Sequence, residues 1–209
     1  MLHQILTKAF AAAQKLAAQR LATESAQPLA QMQKQRSKDW VDELASAFRQ
    51  EYARSAQYRV FSREHPMAAS FGLAELSFDI SVCKIARIKS AELDNEVEYV
   101  TEPVWQIETS FSNDAKDAVA DFNKLVVGGA SNRLFVGPII HSPAYLRTLA
   151  VPAKGCKDAA VWLAMVPHPS RWPTNAEGIR LFKFDGKKWQ PQSADETTTA
   201  VPQSAPPNN

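Results

Sequence analysis

The sequence predicts an α/β fold: a mixed central sheet flanked by helices, preceded by an N-terminal helix and followed by a disordered tail. Three observations carry this. Helical apolar spacing fills the first quarter of the chain, strand-like apolar runs begin near residue 70, and from Pro103 to Gly137 a strand, an amphipathic helix and a second strand succeed one another. With 209 residues and 45% hydrophobic content, the chain can bury one ordinary core. Residues 1–36 then form a helical extension, 37–190 the α/β domain and 191–209 the tail.

Residues 2–25 are rich in Ala, Gln, Lys and Leu, all good helix formers. Leu2, Ile5, Leu6, Ala9, Phe10, Ala13, Leu16 and Ala17 make one apolar stripe, and Pro28 stops or interrupts the helix. The stripe can pack on the body or on a second copy of the chain, so a homo-oligomer through this helix is an open expectation. A second helix over residues 38–56 buries Trp40, Val41, Leu44, Ala47, Phe48 and Tyr52. Residues 70–89 and 95–111 fit strands. Pro103 inside the second of these marks an edge, a bulge or the true strand start. Ser112 and Asn113 are N-cap candidates for a helix whose buried stripe is Ala115, Val119, Phe122, Leu125 and Val126, and Gly128–Gly129 signals its end. "NRLFVGPII" and "DAAVWLAMV" read as buried strands around a short helix, "SPAYLRTLAV". "GIRLFKFDGKKWQ" reads as a hairpin turning at Asp185–Gly186. The last segment is polar and rich in Pro, Ser and Thr, and cannot offset the entropy of ordering.

A formal net charge of +2 gives no overwhelming field for nucleic acid or membrane, so any binding surface must be a local patch. Positive charge is concentrated before Val41, where Lys8, Lys15, Arg20, Lys34, Arg36 and Lys38 face only Glu24 and Asp39. This end is either a solvated helical surface or a phosphate-facing patch, with Lys34, Arg36 and Lys38 as its nucleic-acid-binding candidates. Arg171 and Trp172, in a proline-rich loop, either form a packing lid or stack on a base and contact a phosphate. Cys83 and Cys156 form no CxxC pair and read as buried free thiols of a reducing cytosol. No run approaches the roughly 20 apolar residues that span a bilayer, and Lys8, Lys15 and Arg20 break any signal-like segment; a soluble cytoplasmic protein without a membrane partner is expected. The histidines show no zinc-binding spacing, and no GxxxxGK[ST], GxGxxG or GxSxG occurs.

The chemistry-bearing residues lie inside the strands. Asp79 sits between Phe78 and Ile80. On the next strand Gln106, Glu108 and Ser110 share one face, while Trp105 and Ile107 take the other. Acids within apolar strands are costly unless paired, hydrogen-bonded or bound to a metal. Two of them on neighbouring strands suit one Mg²⁺, with waters and a substrate phosphate completing the shell. Asp79 also has the plainer reading of a strand-end residue, and Glu108 that of a strand entering a loop.

A helix, a strand with "ELSFDIS", a strand ending in "QIETS", a helix carrying "DFNKLVV" and an apolar strand together resemble the PD-(D/E)XK nuclease superfamily, the restriction-endonuclease-like fold, over roughly residues 38–166. The resemblance implies a metal-dependent nuclease with Asp79 as first acid and Mg²⁺ as cofactor. It leaves two registers for the rest. In one, Glu108 is the second acid and Ser110 stands at the usual lysine position. In the other, Gln106 takes the acid position and Glu108 the lysine position. Lys124, on the following helix, is the candidate for a displaced lysine, and Glu43 or Glu51 for the auxiliary acid. Because the motif is incomplete, the resemblance also implies an alternative: a scaffold that binds or assembles without cutting.

Overall fold

The computed structural model describes residues 1–23, 28–63, 76–89, 96–172 and 177–193. Most of the expected tail, the first part of the expected 70–89 strand and part of the loop after Trp172 lie outside the described residues. Helices α1 (Leu2–Thr23) and α2 (Leu29–Tyr52) come first, followed by strands β1 (Tyr58–Ser62), β2 (Ile80–Lys89) and β3 (Glu96–Thr109). Then α3 (Ala115–Val127), β4 (Asn132–Pro138), α4 (Pro143–Ala153) and β5 (Ala160–Val166) alternate, and β6 (Arg180–Phe184) with β7 (Trp189–Gln192) closes the described chain. The strands form one mixed sheet of seven in sequence order: β1, β2 and β3 pair antiparallel, β3, β4 and β5 parallel, and β5, β6 and β7 antiparallel.

Strand alternation divides the core into two layers. Trp105 and Ile107 of β3, Leu134 and Val136 of β4, and Trp162 and Ala164 of β5 face α1 and α2, where Leu6, Trp40, Leu44 and Phe48 are fully or almost fully buried. Phe135, Val161, Leu163 and Met165 face the other way, against Phe122 and Leu125 of α3 and Leu149 of α4. Both crossover helices thus cover one face of the sheet, and each large buried side chain contributes about 2–3 kcal/mol of transfer free energy.

The α1 stripe is closed within the chain: Leu2, Ile5, Leu6, Ala9, Phe10, Ala13 and Ala17 are buried, and the Phe10 ring sits 5.4 Å from that of Trp172. The apolar stripe therefore packs on the body of the same chain, the first of the two alternatives open for it. Arg20 pairs with Asp39, which further fixes α1 on α2. Helix α2 begins at Leu29, so it runs through the boundary expected at residues 36–37.

Pro103 lies at a register shift. Val82 faces Trp105 while Cys83 faces Pro103, so β3 bulges there and the missing N–H breaks no regular ladder. Strand β1, five residues long, has no counterpart in the sequence reading; "YRVFS" is too short and mixed for its period to stand out. Both cysteines are free and buried.

Candidate functional site

The polar column on β3 faces α3, and its members do different work. Gln106 accepts the Ala130 N–H through Oε1 at 3.0 Å, fixing the turn that leads from α3 into β4. A Cβ on Gly128 would lie 2.1 Å from that oxygen, so any larger residue there displaces the Gln106 amide from Ala130. Gly128 is the C-cap, but its φ of −70° is ordinary: space, not a left-handed backbone, requires it. Ser110, buried at the strand exit, donates its N–H to Val136 O at 2.9 Å.

Glu108 is the unusual member. Its side chain is only 1% exposed, Oε2 accepts from Lys124 Nζ at 3.0 Å, and Oε1 is buried with no hydrogen-bond partner. Burial pushes its carboxyl up to about 7, the Asp79 charge adds to the rise, and the Lys124 ammonium only partly offsets it. The bond to Glu108 in turn raises Lys124, whose side chain is half exposed. Asp121, one turn earlier on α3, adds a carboxylate 3.9 Å from the same ammonium.

Asp79 immediately precedes β2, one position before the pair Ile80 and Ile107. Its Oδ2 accepts the Thr109 N–H at 2.8 Å, which ties it to the residue following Glu108. Asp79 and Thr109 line a cleft of about 870 Å³ on the α2 side of the sheet end. Lys34, Lys38 and Asp42 of α2 form one wall, and Arg63 and Phe111 belong to the same lining. Glu108 stands behind this lining, beneath Lys124. The structure thus brings Asp79, Glu108 and Lys124 into electrostatic contact, and places Lys34 and Lys38 beside Asp79.

Other expected site residues lie elsewhere. Arg36 is not available to a ligand: it is 7% exposed, and its guanidinium donates to Pro169 O at 2.8 Å. Trp172 is 2% exposed, packed edge-on against Phe10, Trp40 and Phe111, with its indole N–H on Pro167 O, so no base can stack on it. Arg171 ends the short turn Pro169–Arg171 and does not line the cleft. Glu43 faces Asp39 and Asp42, and burial foremost, with these two charges, raises its carboxyl; it is absent from the lining of the cleft. Glu51 is exposed near the α2 end, about 13 Å along the helix from Asp42. Neither glutamate lines the cleft; the α2 acid that does is Asp42. Arg63, Asp42 and Phe111 carried no signal in the sequence, because only the folded chain brings them to Asp79.

His168 supports the site from behind. Its ring bonds Phe111 O at 3.1 Å and Ser170 at 2.7 Å, and burial lowers its pKa, which holds the Phe111 segment with a neutral ring.

Comparison with protein-family models, curated proteins and solved structures finds no match to this chain. Among the described residues no helix is long and apolar enough to cross a membrane, and no three His, Cys, Asp or Glu side chains converge as a ready-made metal cage. Hard divalent cations are one class of ligand for a buried carboxylate. Such ions take carboxylate oxygens and retain several waters, and Glu108 Oε1 is a buried acceptor lacking a donor.

Proposed function

We propose that the protein is a metal-dependent nuclease of the PD-(D/E)XK type, acting on nucleic acid phosphodiesters. The observation that carries this reading is the orphaned Glu108 Oε1, beside a carboxylate from the neighbouring strand and under a lysine from α3. Asp79 and Glu108 would hold Mg²⁺, and the ion when bound supplies charge neutralisation at the phosphodiester and a more acidic attacking water.

The chain's own residues do the rest. Lys124 keeps its proton next to Glu108 and, being half exposed, can turn its ammonium toward charge developing on the phosphate. Lys34, Lys38 and Arg63 in the cleft hold the backbone, and Thr109 N–H orients Asp79. The commitment of Gln106 to Ala130 favours the register in which Glu108 is the second acid, Ser110 stands at the lysine position and Lys124 replaces the lysine. The buried free thiols suit the reducing cytoplasm.

One observation favours a second reading, a nuclease-like scaffold that binds nucleic acid without cutting it. Lys124 and Glu108 already form an ion pair, and no third ligand side chain converges there among the described residues. Asp79→Asn decides between them. In the nuclease reading wild-type protein cleaves DNA or RNA with Mg²⁺, and the variant folds, binds and does not cleave. Equal cleavage by both proteins contradicts the assignment, and binding without cleavage by the wild type selects the scaffold.

A further inference from the structure

On the opposite face of the sheet, a second cleft of about 250 Å³ opens between α4 and the β6–β7 turn. Arg147 of α4 and Lys154, the residue that caps its C-terminal end, reach it from one side, and Lys187 and Lys188 reach it from the turn. Its floor is apolar, made by Leu146, Ala150 and Trp189, and no acidic residue lines it among the described residues. Four cations in one shallow cleft stand out on a chain whose net charge is +2.

None of the four forms a salt bridge among the described residues. Asp185, the acid nearest the two lysines in sequence, is held by its own turn: it accepts the N–H groups of Lys187 and Lys188, each at 2.8 Å, and the Gln190 amide. Asp185 still attracts Lys188 electrostatically, but its carboxylate fixes the loop and leaves the ammonium groups turned to the cleft. Gly186, at φ +91°, permits this tight turn. Trp189 is anchored through its indole N–H to Leu146 O at 3.1 Å, which ties the turn to α4. The cations are thus carried on braced elements rather than on a loose loop.

We propose that this cleft is a second contact for the phosphate backbone of a nucleic acid strand, separate from the Asp79 cleft. The inference rests on the nuclease-like reading for its ligand class. Backbone phosphates are matched by cations at several positions, while the apolar floor suits sugar and base edges between them. Because the two clefts lie on opposite faces, this contact tethers a strand and raises its local concentration without touching the reacting centre.

The test is fluorescence anisotropy with a labelled single-stranded DNA of roughly 30 nucleotides, in chelator, over a salt series. The variant Lys154→Ala/Lys187→Ala/Lys188→Ala removes three exposed cations, and the charge-matched control is Arg54→Ala/Lys89→Ala/Lys157→Ala. The proposal predicts that the first triple weakens binding roughly tenfold or more at 0.1 M salt and lowers the salt slope by about 2, since each single-strand phosphate contact contributes about 0.7. The control is expected to match wild type. Equal behaviour of the two triples overturns the proposal, as does a poly-glutamate that competes as well as DNA at equal charge. Asp79→Asn binds normally in this assay, so failure of the tether and failure of the cleavage assignment are read separately.

Discussion

Lys124 Nζ lies 3.0 Å from Oε2 of Glu108, joining a half-exposed ammonium to a carboxylate that is 1% exposed. The asymmetry decides what each contributes. Lys124 keeps much of its hydration and gains a partner, whereas Glu108 loses nearly all of its hydration and recovers one bond. Burial therefore outweighs pairing on the carboxylate, and a group this strained in its ionised form is a natural place for a divalent ion.

Replacing Lys124 removes the hydrogen bond that the Glu108 carboxylate accepts. Lys124→Met should lower stability by about 1–3 kcal/mol above pH 7, with a smaller loss at pH 5, where the carboxyl is protonated. Urea denaturation at the two pH values checks this; an equal loss at both would show that the ion pair is not the cause.

Glu108 itself sets a pH dependence of stability. Its folded-state pKa is raised from 4.5 to about 7. Below 4.5 both states are protonated and there is no penalty; between 4.5 and 7 the unfolded chain ionises first, so stability falls; above 7 the penalty is constant. Glu108→Gln, which stays neutral, should therefore gain on wild type across this window, by at most about 3 kcal/mol. Thermal melting from pH 4 to pH 8 without divalent ions measures it. A constant difference between the two proteins would contradict the assigned ionisation.

Gly128 and Gln106 are coupled through space. Gly128→Ala should cost about 2 kcal/mol, because the new methyl meets Gln106 Oε1. In a Gln106→Ala background the cost should largely disappear, although Gln106→Ala alone also destabilises by freeing Ala130 N–H. A double-mutant cycle reads the coupling, and strictly additive losses would show that the contact does not limit packing.

Basic residues on α2 should separate into two behaviours. Arg36→Met should lose about 1–2 kcal/mol of stability, since Pro169 O loses its charged donor and keeps only the Trp172 N–H at 3.3 Å, with no specific loss of nucleic acid binding. Lys34→Ala/Lys38→Ala should leave melting unchanged and reduce retention on a DNA column at low salt. Retention lost in the Arg36 variant but kept in the lysine pair would reverse the assignment.

The contrast on α2 shows what could be read in advance. Periodicity placed the stripes of α1 and α3, the polar column of β3 and the turn at Asp185–Gly186, because each depends on neighbours in sequence. Arg36 could not be placed because its partner is remote: it meets Pro169, 133 positions away. Of the two readings open for Trp172 the structure shows packing, against Phe10, Trp40 and Phe111. Asp79, Glu108 and Lys124 could be proposed from strand alternation and the motif resemblance, but the burial of Glu108 depends on α3 lying over β3. Arg63 and Asp42 became visible only once the cleft closed around Asp79.

The most direct measurement of the central claim is calorimetric titration with Mn²⁺ of wild-type protein, Asp79→Asn and Glu108→Gln. The wild type is expected to bind one ion at this site, with proton release near pH 6, and either substitution to abolish that binding while the fold persists. Unchanged binding in both variants, or none in the wild type, would contradict that claim.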